Sequence, residues 1–258
     1  MKQRLIILGL ALVASVSIIS GCGTIEVNVD VPDVDPRDVM RGSGDVVTEE
    51  RTLKEFDRVS LTGAGDVIIT QGDEEALTVE TDDNLMPYIR TEVKGKTLVL
   101  GFTDEGRRKS FRPSKGIKFY LTLKGLSGLD LSGAGNVKVS SLEADRLEIR
   151  LSGAGDIQID AVTAEGLVVR LSGAGNVELA GQVAEQNVQI SGAGDYRASK
   201  LESQNAAVEV SGAGNATVWA NDSLDARITG VGAVSYYGDP QVTESVSLVG
   251  RLVRMGSQ

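Results

Sequence analysis

The stretch "LSGAGDIQID", residues 151–160, contains a Gly-Ala-Gly-Asp motif that the chain repeats with small changes. Six copies of Gly-Ala-Gly followed by Asp or Asn begin at Leu61, Leu131, Leu151, Leu171, Ile190 and Val210. Degraded copies at Arg41 and Ile228 flank them. From the second copy onward the first Gly falls at positions 133, 153, 173, 192, 212 and 230, so the steps are 20, 20, 19, 20 and 18 residues. A constant step is typical of a solenoid, in which each repeat buries its apolar face against its neighbours.

Apolar and polar residues alternate between the motifs. In "RLEIRLSG", Leu147, Ile149 and Leu151 share one face, while Glu148 and Arg150 share the other. Such alternation predicts strands with one buried face, and a second short strand follows each motif. Strands this short must stack on their own copies at about 4.8 Å, with right-handed parallel connections. The sequence therefore predicts an all-β fold, a right-handed parallel β-helix or β-solenoid with about 20 residues per coil.

The Gly-Ala-Gly-Asp/Asn motif has three interpretations. A phosphate loop would lead into a helix, but every copy here leads into another strand. Calcium is the closer alternative, although calcium-binding β-roll repeats are about nine residues long and half of these positions carry Asn. A structural corner is favoured, because Gly has no Cβ to meet the next coil and Asn or Asp tolerates a tight turn. The predicted corner ladder consists of Asn136, Asp156, Asn176, Asp195 and Asn215.

Asn and Asp alternate along this ladder. Carboxylates on adjacent coils, about 4.8 Å apart, would repel by roughly 3 kcal/mol at an effective dielectric constant near 20. We hypothesise that alternation doubles the spacing between charges and lets each Asn amide donate to a neighbouring carboxylate. No cofactor is predicted, and calcium at the ladder remains the alternative.

The amino-terminal residues have the features of an export signal. Lys2 and Arg4 precede an apolar run, residues 5–19, which is short for a membrane-spanning helix and typical of a signal peptide. The run ends in "ISGC" and resembles a bacterial lipoprotein signal, in which the cysteine is acylated and becomes the first mature residue. Cys22 is the only cysteine of the chain and is the predicted lipidation site. The resemblance to bacterial lipoproteins implies that Gly23, the next residue, favours sorting to the outer membrane rather than the inner membrane.

The chain divides into four predicted parts. Residues 1–21 are a lipoprotein signal peptide, and residues 22–41, which carry two prolines, form a tether or alternatively a first edge strand. Residues 42–124 form irregular solenoid coils with an insertion, which includes a hairpin at "VKGKT" and a charged loop at 104–116. Residues 125–258 form the regular repeats and a carboxyl-terminal cap.

The segment "GDVVTEERTLKEFDRVSLTGAGDVIITQ" and the "LDLSGAGNV" repeats resemble the auto-transporter adhesin head (GIN) domain family of bacterial exported proteins. The acidic segment before the first corner carries the family's signature as Phe56, Asp57 and Val59, and the resemblance spans about residues 42–238. It implies a β-helical fold and an exported location. It supplies no catalytic motif.

The amino-acid composition argues against several classes of function. Acidic residues outnumber basic residues by 36 to 26, and the net charge of −10 argues against nucleic acid as a partner. The absence of histidine removes the commonest general base and metal ligand. These features favour a lipid-anchored envelope protein that is not an enzyme and has an adhesin-like or structural role. The alternatives are a carbohydrate-binding or polysaccharide-cleaving β-helix protein and a regulatory envelope lipoprotein, between which fold alone cannot decide.

Two regions supply candidate ligand contacts. The charged loop concentrates basic residues that could attract anionic lipid headgroups or acidic glycans, and Trp219 could form a sugar platform. The basic candidates are Arg107, Arg108, Lys109 and Arg112. Trp219, Tyr236 and Tyr237 are better interpreted as an aromatic cap over the last coil. The predicted partners are the membrane, through the lipid anchor, and a glycan or an envelope protein.

Overall fold

The computed structural model describes residues 39–53, 55–247 and 249–256. The predicted signal peptide, Cys22 and nearly all of the predicted tether lie outside the described residues. The described chain contains two short 3-10 helices, Met86–Tyr88 and Gly106–Arg108. Its strands are β1 (Val39–Arg41), β2 (Val46–Arg51), β3 (Arg58–Leu61), β4 (Asp66–Gln71), β5 (Ala76–Asp82), β6 (Ile89–Lys94), β7 (Thr97–Phe102), β8 (Ser110–Arg112), β9 (Lys118–Leu123), β10 (Gly128–Leu131), β11 (Val137–Val139), β12 (Leu142–Leu151), β13 (Ile157–Leu171), β14 (Val177–Ile190), β15 (Tyr196–Val210), β16 (Ala216–Ile228), β17 (Ala233–Tyr237), β18 (Gln241–Val246) and β19 (Arg251–Gly256).

From β10 onward the strands stack as parallel coils. β12 pairs with β13 so that Leu151 lies opposite Leu171, and β13 pairs with β14 so that Leu171 lies opposite Ile190. The same parallel pairing continues from β14 through β15 to β16. The predicted β-solenoid with about 20 residues per coil is therefore confirmed.

Inward-facing side chains form columns through the stack. The column just before each corner is apolar in every coil, and its members are at most 1% exposed: Leu61, Leu131, Leu151, Leu171, Ile190, Val210 and Ile228. Burying one such side chain contributes about 1.5–3 kcal/mol. The repeat thus stabilises itself by contacts between equivalent residues.

One part of the core is polar. Gln186 and Ser203 occupy inward positions and are buried, as is Tyr196. The Tyr196 hydroxyl donates to Gln186 Oε1 at 3.0 Å, Gln186 Nε2 donates to Ser203 Oγ at 2.8 Å, and Ser203 Oγ donates to the carbonyl oxygen of Trp219 at 2.6 Å. Burial raises the pKa of Tyr196, so its hydroxyl stays protonated. The three side chains satisfy one another, as buried polar groups must.

The first regular motif copy lies inside the stack rather than at its end. β3 pairs in parallel with β10, which places Leu61 opposite Leu131, and on its other edge β3 pairs in parallel with β7. β4 lies in the same way between β11 and β9. The chain therefore leaves the stack after β4, builds a coil on one side of β3 and β4, and returns to the other side.

Antiparallel strands close this end of the solenoid. β6 and β7 form the predicted hairpin, and β5 pairs antiparallel with both β9 and β2. The 3-10 helix Met86–Tyr88 lies between β5 and β6. Leu85, Met86 and Ile89 are buried beneath this end.

The close approach of the backbones at the corners explains why the motif contains glycine. Ala64, Ala134, Ala154 and Ala174 form bridges from coil to coil. A Cβ added to Gly155, whose φ is +143°, would lie 1.8 Å from the carbonyl oxygen of Gly135. Only glycine permits backbones to approach so closely at such a φ.

At the carboxyl end the predicted aromatic cap is wrong. Tyr237 lies opposite Trp219 on adjacent coils, but β18 and β19 add one further coil beyond them. That coil has no Gly-Ala-Gly corner, so the repeat pattern does not reveal it.

Candidate functional site

The sheet face that precedes the corners carries a continuous shallow groove. We call this surface the groove face; it comprises the outward side chains of β3, β10 and β18 and of the segments 146–151, 166–171, 185–190, 205–210 and 223–228. A depression of about 430 Å³ lies around Glu185, Asn205 and Asp225, and one of about 360 Å³ lies around Arg150, Arg170 and Glu209. A third of about 220 Å³ shares Asp225 with the first and Glu209 with the second. The groove therefore crosses several coils at right angles to the strands.

Small side chains form part of the groove. Gly166, Val168 and Ala207 line the first depression, between longer polar side chains such as Asn187 and Glu185. Pairing places Val168, Asn187 and Ala207 at equivalent positions of successive coils. The depression thus results from the register, which sets short side chains beside long ones.

The charges of the groove face balance. Its cationic side chains are Arg58, Arg146, Arg150, Arg170 and Arg227. Its acidic side chains are Asp130, Glu148, Glu185, Glu209 and Asp225. Five positive and five negative charges give a net charge of zero, although the whole chain carries −10.

An ion-pair cluster lies at one end of the groove. Glu148 accepts hydrogen bonds from Arg58 at 3.2 Å and from Arg150 at 2.7 Å, and it also pairs with Arg170. Burial alone would raise the pKa of Glu148, but the hydrogen bond from Arg58 and the charges of Arg150 and Arg170 lower it. Glu148 therefore stays ionised in the pH range of a living cell.

The pKa of Asp130 is shifted in the opposite direction, upward. Asp130 lines the same depression as Arg150, and its Oδ1 atom is buried without a hydrogen-bond partner. Burial raises its pKa, against the opposing charges of Arg150 and Arg58. Two carboxyl groups on one face thus differ in their affinity for a proton.

A row of hydroxyl groups borders the groove. The residue before each Gly-Ala-Gly, and before the degraded copy Gly-Val-Gly, is Ser or Thr, and these side chains are exposed: Thr62, Ser132, Ser152, Ser172, Ser191, Ser211 and Thr229. Stacked strands set them about 4.8 Å apart. The Ser in "LSGAG" is the sequence signal for this row, which the interpretation of the motif as a corner leaves out.

The corner ladder runs through successive coils. Asn176 Nδ2 donates to Asp156 Oδ1 at 2.8 Å, and Asn215 Nδ2 donates to Asp195 Oδ1 at 3.0 Å. Burial alone would raise the pKa of Asp195, but hydrogen bonds from Asn215 and Arg197 lower it. Asn136 donates to Asp66 at 2.9 Å, so the ladder has an additional member in the first copy. Sequence reasoning missed Asp66 because 70 residues separate it from Asn136.

The basic loop does not join the groove. Lys109 donates to Tyr88 at 3.0 Å and pairs with Glu105, also at 3.0 Å, and these two contacts raise its pKa. Arg107 lies 3.9 Å from Asp104, and Arg108 ends the second 3-10 helix. Arg112 ends β8, which pairs with β1. Acidic neighbours therefore reduce the positive field of this loop.

Trp219 is also separate from the groove face. It lies on the segment of β16 that pairs with β17, and its indole N–H donates to Asn221 at 3.0 Å. The sequence-predicted ligand contacts are thus not brought together.

Two negative findings concern metals and membranes. Within residues 39–53, 55–247 and 249–256, no cluster of three or more His, Cys, Asp or Glu side chains is placed to hold a metal ion. In the same residues, no helix has the length and apolar character needed to cross a membrane.

Known structures share this fold. A Bacteroides fragilis protein described as a putative adhesin has 28% identity and a TM-score of 0.80, over 84% of this chain and 100% of that one. A Parabacteroides distasonis protein described as a putative lipid binding protein has 25% identity and a TM-score of 0.68, over 84% and 99%. A Parabacteroides merdae protein described as a putative adhesin, with 21% identity and a TM-score of 0.63 over 84% and 99%, shows the fold alone.

Family membership follows from the sequence. No curated protein matches the chain significantly. Residues 55–240, which include the first regular corner and all later ones, match the family described as "Putative auto-transporter adhesin, head GIN domain". The chain therefore belongs to the auto-transporter adhesin head GIN domain family.

Proposed function

We propose that this protein is a non-catalytic, adhesin-like binding protein of the cell envelope, and that its groove face binds a hydroxyl-rich glycan. The observation that carries the proposal is the continuity of the groove, whose depressions share Asp225 and Glu209. A groove that crosses stacked coils suits an extended polymer better than a compact metabolite. The adhesin descriptions of family and neighbours support the same role.

The chemistry of the groove favours a neutral glycan. Sugar hydroxyl groups both donate and accept hydrogen bonds, and the groove offers carboxylates, amides, guanidinium groups and hydroxyls. Because the charges of the face sum to zero, a polyanion gains no long-range attraction, and the rest of this acidic protein repels it. Binding should therefore depend little on salt.

A glycan array probed with the full chain, with and without calcium, tests the proposal. Ala207→Arg places a long side chain in the groove and should reduce binding at least tenfold. Gln158→Arg adds the same charge on an exposed position outside the groove face and should leave binding unchanged. Equal binding by both variants, or binding only to polyanions, would contradict the proposal.

The envelope location is part of the proposal. The support is the lipoprotein-like signal that ends at Cys22, together with the exported character of the family. Anchoring through a lipid on Cys22, in the outer membrane, would hold the solenoid at a membrane surface. Cys22→Ser should abolish incorporation of labelled palmitate and release the chain from the membrane fraction; unchanged labelling would refute the anchor.

Polysaccharide cleavage is a second candidate, favoured by Asp130. A carboxyl group with a raised pKa beside an ionised Glu148 and three arginines resembles a proton donor in a charged site. Release of reducing ends from a bound glycan, lost in Asp130→Asn with binding retained, would favour the enzyme. Binding without product favours the adhesin-like role.

A further inference from the structure

The two ends of the solenoid differ. Antiparallel strands and a 3-10 helix that buries Met86 cover the end near β7 and β9. The other end is the coil of β18 and β19, and each of these strands pairs on one edge only within the described residues. Open ends of solenoids are normally capped, because an exposed edge pairs with other chains.

Exposed apolar side chains concentrate at this open end. Val242 and Val246 continue inward columns, yet both are 38% exposed, while Leu224 and Ile228 one coil below are at most 1% exposed. Other large exposed hydrophobic residues of the last two coils are Val231, Val249 and Met255. An exposed apolar patch on an otherwise polar protein marks an interaction surface.

Two opposite charges also continue inward columns here. Glu244 lies opposite Ala226 of the coil below, and Arg254 lies opposite Tyr236. Arg254 pairs with Asp239 at 2.8 Å but remains half exposed. The open end therefore presents one acidic and one basic column position, on different strands, beside apolar neighbours.

We propose that this coil is a homotypic interface, on which a second copy of the chain docks end to end about a twofold axis. A twofold axis in the plane of the end, between the two strands, sets β18 antiparallel to β19 of the second copy. In the register that places Glu244 opposite Arg254 of the second copy, Val246 lies opposite Leu252, because in an antiparallel pair two residues forward on one strand correspond to two residues back on the other. The symmetry repeats each contact, so one surface complements itself.

Charge complementarity identifies the occupant. In a dimer of two copies, Glu244 of each copy pairs with Arg254 of the other, and Val246 of each is buried against Leu252 of the other. The new hydrogen bonds between strands also satisfy the free edges of β18 and β19. A different occupant would be the alternating segment "IEVNVDV", residues 25–31, of another copy. Placed on this edge, its Val residues would offer no partner to Glu244, while Arg254 already has Asp239 beside it, so the second copy fits better.

Light scattering of the full chain in mild detergent, over a range of protein concentrations, tests the interface. We expect a dimer. Glu244→Arg and Arg254→Glu should each raise the dissociation constant at least tenfold, and the double charge swap should restore it to within about threefold. Lys138→Glu, on the side of the solenoid, serves as the control and should have no effect, and circular dichroism checks that every variant folds.

Four results would overturn the proposal. The first is a wild-type chain that stays monomeric at all concentrations. The second is a dimer that survives both Glu244→Arg and Val246→Lys, because the interface would then lie elsewhere. The third is a double swap that fails to associate. The fourth is association abolished by Val29→Lys alone, which would assign the end to the amino-terminal segment instead.

Discussion

Replacing Asn176 with Asp tests the corner ladder. The amide of Asn176 donates to Asp156 at 2.8 Å, and its backbone N–H donates to the same oxygen at 2.9 Å. An Asp side chain cannot donate the first bond, which removes about 1 kcal/mol. The substitution also places carboxylates on three consecutive coils, because the new side chain lies about 5 Å from both Asp156 and Asp195.

The size of the effect depends on screening. Two charges 5 Å apart repel by about 0.8 kcal/mol in bulk water and by about 3 kcal/mol at an effective dielectric constant of 20. Because the ladder is largely solvent-exposed, we take the lower figure for each of two neighbours. With the lost hydrogen bond, the free energy of unfolding should fall by about 2–3 kcal/mol at low salt.

Urea unfolding of Asn176→Asp and of Asn176→Ala, each at about 20 mM and about 1 M salt, separates the two contributions. Asn176→Ala loses the hydrogen bond without adding charge. The Asp variant should be the less stable of the two at low salt and should approach the Ala variant at high salt. Equal stabilities at low salt would refute the idea that alternation avoids repulsion.

Three further predictions concern the buried groups and the corners. Tyr196→Phe removes the donor to the buried Gln186 Oε1 and should lower the free energy of unfolding by about 1–3 kcal/mol, whereas Tyr237→Phe, on a partly exposed residue, should change it little in thermal unfolding. Gly155→Ala places a Cβ against the carbonyl oxygen of Gly135 and should lower the free energy of unfolding by about 3 kcal/mol or more. Gly166→Ala should be tolerated, because the added Cβ would lie 3.6 Å from the nearest atom. Equal melting temperatures of the two variants would contradict the close-packed corner. Asp82 is buried, and although burial alone raises its pKa, hydrogen bonds from Ser114 and Gly44 lower it overall. Its contribution to stability is therefore present above about pH 4 and is lost as the pH falls below its unfolded-state pKa, so Asp82→Asn should be less stable at pH 7 and show a shallower loss towards pH 2 in urea unfolding.

The regular coils could be predicted because one rule repeats in them. Each corner needs glycine and each inward position needs an apolar residue, so spacing and alternation are sufficient from Leu131 to Ile228. The last coil could not be predicted because its strands lack the motif and because its inward positions include the charged residues Glu244 and Arg254. Gln186 faces inward by the same alternation as Val188 and Ile190, but a polar residue is not expected at an inward position, so its burial could not be predicted.

The candidate site was less accessible to sequence reasoning. Arg107 and Trp219 stand out in the sequence because basic clusters and tryptophan are rare in this chain. Their neighbours in space decide what they can bind, and Arg107 already lies beside Asp104 while Trp219 already donates to Asn221. The groove depends on which short side chain lies beside which long one. A register shift between β13 and β14 contributes to that arrangement, and no single coil reveals it.

The position of β3 and β4 within the stack has a consequence for biosynthesis. These strands emerge early from the ribosome, but their partners β7, β9, β10 and β11 follow only over the next 70 residues or so. Until then the edges of both strands stay exposed, because distant pairing has to wait for loop closure. We expect a nascent chain that ends near residue 124 to need a chaperone, and one extended through β13 to become protease-resistant in a single step.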